Sequence, residues 1–211
     1  MRNLAIALAV WGSLLPLQAQ KNIEKHMDFS GKQAVELNIQ ISDSITIHSW
    51  NKNEVYVSAS INVNDNKDND AYVTRFDDSG NSVKVDARFS DSYFKGKKNC
   101  CNTSMIYWTV YVPESAEVTV ESINADLTIV GTMKKIKAKS ISGFIDMTVQ
   151  AAAKADLRMK TVSGTIYSNV DFPPSGKNGA VPSEVQAKLN DGGELYSLET
   201  ISGDIFLREQ K

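Results

Sequence analysis

SINADLTI from Ser122, SISGFIDM from Ser140, TVSGTIYS from Thr161 and TISGDIFL from Thr200 are four copies of one phrase. Each reads Ser/Thr, Ile/Val, Ser/Asn, Gly/Ala, any residue, Ile/Leu. Laid over one another, the copies also match outside the phrase. Val118 and Val120, Ile136 and Ala138, Leu157 and Met159, Tyr196 and Leu198 stand five and three residues before the Ile/Val, while Leu127 and Ile129, Ile145 and Met147, Ile166 and Ser168, Ile205 and Leu207 stand four and six after it. Alternation with period two marks a strand with one buried face. The shared positions Ile123, Ile141, Val162 and Ile201 lie 18, 21 and 39 residues apart, and repeats near 20 residues indicate stacked coils. The last interval, about twice the others, leaves room for a degenerate or expanded coil. A tight corner takes a residue tolerant of positive φ, supplied by Gly143, Gly164 and Gly203, and the serine before each (Ser142, Ser163, Ser202) is placed to bond the corner backbone. One coil cannot bury its apolar face alone, so neighbours have to stack on it.

The alternation runs upstream as well, through Leu37, Ile39 and Ile41, through Val55, Val57, Ala59, Ile61 and Val63, and through Ile106, Trp108, Val110 and Val112. Turn-forming residues punctuate it at Ser42-Asp43, Asn51-Lys52-Asn53, Ser79-Gly80-Asn81 and Asp191-Gly192-Gly193. Residues 41–47 read as an earlier copy whose upstream apolar residues are out of phase. Alanine-rich residues 150–160 have helix propensity, yet the repeat register makes them a loop running into a strand. The expected fold is all-β: a short single-layered β-solenoid with a strand-rich N-terminal portion and decorating loops at residues 64–98 and 171–182.

With 42% hydrophobic and 23% charged residues among 211, the chain is of ordinary globular composition. Its 23 basic and 25 acidic residues leave a formal charge of -2, which gives no basic field for nucleic acid. Met1-Arg2, an apolar run over residues 4–17 and the small Ala19 make residues 1–19 a secretory signal peptide, cut after Ala19. A membrane span needs about 20 apolar residues, more than this run supplies. Residues 20–211 then form one β-solenoid domain without a membrane span, exported to the periplasm, the cell surface or the medium.

The pattern Ile45-Thr46-Ile47-His48-Ser49-Trp50 with Val55 and Val57, and the later Ser-Gly corners, resemble the DUF4097 family of exported bacterial β-repeat proteins, often labelled adhesins. The resemblance covers roughly residues 35–209. It implies stacked β coils and brings no catalytic residues. The chain departs from the pattern at Asn124-Ala125, which replaces a Ser-Gly corner, and at Asp43, where the first coil would have glycine.

Chemistry-bearing motifs are sparse. Ser92-Tyr93-Phe94-Lys95 has the letters of a serine acyl-enzyme motif but none of the companion elements, so it reads as a loop. Residues 65–70 are acidic and amide-rich without the glycine and glutamate of a calcium loop, so they read as hydrated. His26 and His48 are expected to lie far apart, and Asp126, Asp146 and Asp204 at scattered corners, which leaves no catalytic set, metal site or cofactor. The adjacent Cys100 and Cys101 could form a strained vicinal disulfide, remain free thiols or bridge to another chain. Tyr93, Phe94, Lys95, Lys97, Lys98, Tyr107 and Trp108 mix basic and aromatic character and form the first candidate for a binding face.

The expected function is that of a non-enzymatic envelope or surface protein, an adhesin presenting a β face to a glycan, protein or envelope component. The alternative is a periplasmic structural or envelope-stress accessory without ligand recognition. Mass spectrometry of the protein recovered from producing cells is expected to show a chain beginning at Gln20; a mature chain that keeps Met1 would contradict the leader.

Overall fold

The computed structural model describes residues 20–95, 103–170 and 183–210; residues 1–19, where the leader is expected, Lys97, Lys98, Cys100, Cys101 and residues 171–182 lie outside them. The described chain is all-β apart from one 3-10 turn. Fifteen strands form one continuous sheet that bends into two faces. One face runs, in register order, through β5 (Tyr72–Asp77), β6 (Ser82–Phe89), β2 (Ala34–Ile39), the first half of β8 (Glu117–Val130), β9 (Lys135–Ser142), β14 (Glu194–Ser202), β11 (Ala155–Ser163) and β13 (Glu184–Leu189). The other runs through β1 (Lys21–Asp28), β4 (Glu54–Val63), β7 (Ser104–Pro113), β3 (Ile41–Trp50), the second half of β8, β10 (Ile145–Val149), β15 (Ile205–Glu209) and β12 (Ile166–Ser168). Only β8 belongs to both.

The core between the faces is built from the predicted alternation. Val118, Val120, Ile136, Ala138, Leu157, Met159, Tyr196 and Leu198 are buried from one face, and Leu127, Ile129, Ile145, Met147, Ile205 and Leu207 from the other. The outermost copy departs from this, since Ile166 is only half-buried and Ser168 is exposed. Residues 150–160 are a turn and the start of β11, as expected. The first copy is out of phase because of a bulge: Ile41 pairs with Asn124 and Ser44 with Asp126, so Ser42 and Asp43 together oppose Ala125. Asp43 occupies that bulge and accepts the Ile106 backbone N–H at 2.7 Å.

The strand order corrects the expectation of coils wound one upon the next. After β9 and β10 the chain skips a place, forms β11 and β12, and then returns to insert β14 and β15 into the gap. The long interval before Ile201 contains β13, an antiparallel partner of β11, and no further coil among the described residues. The copy ending near Leu207 is therefore interior, with β15 between β10 and β12.

The corners also differ from the sequence reading. Gly143 and Gly203 have positive φ, +123° and +157°, but Gly164 does not. What all three share is proximity: a Cβ at Gly143 would overlap the Ala125 carbonyl oxygen, one at Gly203 that of Gly143, and one at Gly164 that of Gly203. Ser142, Ser163 and Ser202 are exposed, so they are not the residues that bond the corner. That role belongs to the buried first residue of the phrase. Ser122 donates to Gln40 O (3.2 Å), Ser140 to Ala125 O (3.3 Å), Thr200 to Gly143 O (3.2 Å) and Thr161 to Gly203 O (2.9 Å). Asp126 and Asp204 extend the rack by accepting the Phe144 and Thr165 N–H groups at 3.2 and 2.8 Å.

Gly143→Ala adds a Cβ against a backbone carbonyl at a φ that alanine resists, with no flexible side chain to yield. It is expected to cost about 2–3 kcal/mol and to lower Tm by roughly 5–10 °C in a thermal melt; an unchanged Tm would refute the corner rack.

Candidate functional site

The two faces carry different chemistry on their outer sides. On the face containing β9, one rung reads Arg75, Asp86, Asn38, Glu121, Lys139, Glu199, Lys160, Glu184 across eight strands. Ion pairs tie parts of this face together, among them Lys137 with Glu121 at 3.4 Å, Lys84 with Glu36 at 3.3 Å and Arg158 with Glu184 at 3.3 Å. The Lys134 ammonium, 2.6 Å from Glu117, holds that carboxyl below its usual range. Alternating charge of this kind solvates a sheet and fixes cross-strand neighbours.

The opposite face is aromatic and hydroxyl-bearing. His26, Tyr56, Tyr111 and His48 are direct register partners on β1, β4, β7 and β3. Their ring centroids are 4.6, 6.0 and 4.9 Å apart in that order. Trp50 sits two residues beyond His48, 5.1 Å from Tyr111, with the Lys52 ammonium 4.5 Å above its ring. The indole N–H donates to Glu54 O at 2.8 Å, and His26 Nδ1 lies 3.4 Å from the Glu54 carboxylate. The adjacent rung carries Ser58, Thr109, Thr46 and Thr128 and ends in Asp146, Phe206 and Tyr167. There Tyr167 stacks on Phe206 at 5.1 Å, and Arg208 grips both oxygens of Asp146 at 2.8 and 3.0 Å. Hydroxyls repeat at the strand spacing beside the His/Tyr row, from Glu24 on β1 at one end of the rung to the Phe206–Tyr167 stack at the other.

These side chains project outward because their neighbours have to face in. In Val55-Tyr56-Val57 and Val110-Tyr111-Val112 the valines are buried, which leaves the tyrosines on the outer phase. That half of the site was legible in the alternation. The other half, the pairing of β1 with β4, β4 with β7 and β3 with β7, makes register partners of residues 30, 55 and 63 positions apart. His26 and His48 stand at opposite ends of the resulting row, three strand spacings apart, each against a tyrosine.

Of the face expected around residues 93–108, Lys97 and Lys98 lie outside the described residues, and the other members are placed as follows. Trp108 is 1% exposed and fills the core. Tyr93 is buried, stacked 5.1 Å from Phe89, and donates to Asp68 at 3.1 Å; Phe94 and Lys95 are exposed beside it. Tyr107 lies elsewhere, on the outer side of the aromatic face. The loop at residues 65–70 is folded on itself: Asn69 accepts the Val63 N–H, Asn64 donates to Asp68, and Asn64, Asp65 and Asn66 have positive φ. Ser92 lies in a turn, its hydroxyl 3.4 Å from that of Ser90.

Among solved structures, the chain is similar to a candidate cell adhesion protein from Clostridium sporogenes, with a TM-score of 0.61 at 10% identity over 91% of this chain and all of that one. Candidate adhesins from Parabacteroides merdae and Bacteroides fragilis align with TM-scores of 0.30 and 0.25, at 11% and 10% identity, over 70% and 92% of this chain and 69% and 99% of theirs. The first similarity shows a shared fold. No protein-family model matches the chain, and no curated protein does.

Tyr111 touches three rings, so Tyr111→Ala is expected to cost about 1–3 kcal/mol. Tyr107→Ala, which removes no ring contact among the described residues, is expected to cost less than about 0.5 kcal/mol. Chemical denaturation of the two variants checks the difference, and equal losses would deny the cluster its role.

Proposed function

We propose that this is an exported, non-catalytic contact protein of the adhesin type, which holds an extended glycan on its aromatic face. The observation that carries the reading is the difference between the outer faces. One alternates charge and pairs part of it internally, while the other lines up rings and hydroxyls across neighbouring strands without a comparable charge ladder. Half-buried rings with phenol and imidazole tips offer a sugar both apolar contact and hydrogen bonds. Strands about 4.8 Å apart repeat such groups at intervals comparable to the length of one sugar. Affinity would be the sum of many weak contacts on a rigid platform, each already ordered before the ligand arrives. The leader favours a location outside the cytoplasm, and the fold shared with a candidate cell adhesion protein fits the same reading.

Pull-down on insoluble polysaccharides and a glycan array test it. The unmodified protein is expected to bind at least one extended glycan. Tyr56→Ser with Tyr111→Ser should weaken that binding about tenfold or more, whereas Lys137→Ser on the charged face should leave it unchanged. Binding lost through the charged-face variant, or no glycan bound at all, overturns the proposal; in the second case full protection from protease in intact cells would favour the periplasmic accessory.

A further inference from the structure

The second position of the repeated phrase is apolar in all four copies, yet the core does not use it. Ile123, Ile141, Ile201 and Val162 point outward from the charged face and are 45%, 43%, 46% and 68% exposed. The register of β8, β9, β14 and β11 sets them side by side in that order. Three strand spacings of ~4.8 Å make the stripe roughly 14 Å long. Beside it run Glu121, Lys139, Glu199 and Lys160, and two shallow grooves lie between the rows, one lined by Ile123, Ile141 and Lys139, the other by Ile201, Val162 and Glu199. β-branched residues suit strands anywhere. The neighbouring outward positions of these strands nevertheless hold Thr119, Lys137, Ser197 and Arg158, so a continuous aliphatic row at one height is not explained by strand preference.

We propose that the stripe is the interface of a twofold dimer of this chain. The order of charges beside it identifies the occupant. Let two copies face each other about an axis parallel to the strands and passing between β9 and β14. Each residue keeps its height along the strand while the order across strands is reversed. Ile141 meets Ile201 of the second copy, and Ile123 meets its Val162. Lys139 then meets Glu199, and Glu121 meets Lys160, each pair occurring twice, so every charge in the row faces its opposite. In the next rung Thr119 meets Arg158 and Lys137 meets Ser197, and no like charges oppose. An axis across the strands along that row would instead set each charge against its own copy. Within the chain neither Lys139 nor Glu199 has an ion partner among the described residues, although they are register neighbours. Rim charges of this kind select register and orientation, while the aliphatic row supplies the apolar area.

A patch four strands wide is at the small end of specific interfaces, so the dimer is weak and concentration-dependent. Its geometry places the two charged faces inside and the two aromatic faces outermost, on opposite sides. Such a dimer would present two contact faces to one ligand or bridge two ligands, which raises avidity without any new contact. The assembly does not depend on which ligand the aromatic face holds.

Sedimentation equilibrium of the purified protein over a concentration series tests this without any ligand. The mass is expected to rise from one chain toward two and no further. Ile201→Ser and Lys139→Glu should each weaken association by about tenfold or more, and Lys139→Glu combined with Glu199→Lys should recover it, because both facing charges are exchanged together. Circular dichroism melts identify variants that keep the fold, which is expected of substitutions at exposed positions. A mass of one chain throughout, growth beyond two chains, or a dimer indifferent to Ile201→Ser and Lys139→Glu each overturns the proposal.

Discussion

Where the chain turns from one face to the other, its carbonyl points along the stack into the neighbouring corner. A carbonyl packed against a neighbouring corner and left without a donor is costly. The neighbouring coil meets this demand with a hydroxyl three residues before its own corner glycine, from Ser140, Thr200 or Thr161. The same carbonyl excludes a Cβ from the facing corner. Two letters of the repeated phrase, the Ser/Thr and the Gly, therefore answer a single contact. Ala125 is admitted where the neighbouring coil is the bulged first one, with Ser42 and Asp43 opposite it.

A rack that sets the height of each coil also sets the height of everything the strands project. Outward residues come into rows because inward residues are locked in register, and the rows can be specialised independently. On one side, alternating charge solvates the sheet. On the other, histidines and tyrosines from four strands form a single line. Such a line needs four strands that are not consecutive in the chain, and the rigidity that keeps them aligned comes from the shared core behind them. A binding face of this kind has little to reorganise when it meets a ligand.

Much of the architecture was legible in residues alone. Alternation named the strands and the inward set, and the repeat paired their corners. Reading failed at points where two arrangements satisfy the same pattern. Each parallel copy presents the same inward face and the same corner, so β14 and β15 fit beside β9 and β10 as well as β11 and β12 would, and the pattern contains no term that distinguishes them. Ser142 and Ser140 look equally able to bond a corner until the direction of the side chain is known. Trp108 and Tyr107 differ by one position along a strand, which sends one into the core and the other to the surface.

The all-β class, the alternation that separates core from surface and the repeat that demands stacking follow from the residues alone, because they depend on local geometry and on the need to bury every second side chain. The order of the coils, the row that joins His26, Tyr56, Tyr111 and His48, and the line of outward aliphatic residues became visible only in the folded chain. Those depend on which strands lie side by side, and hydrogen bonds between backbones carry no label of the residue that contributes them.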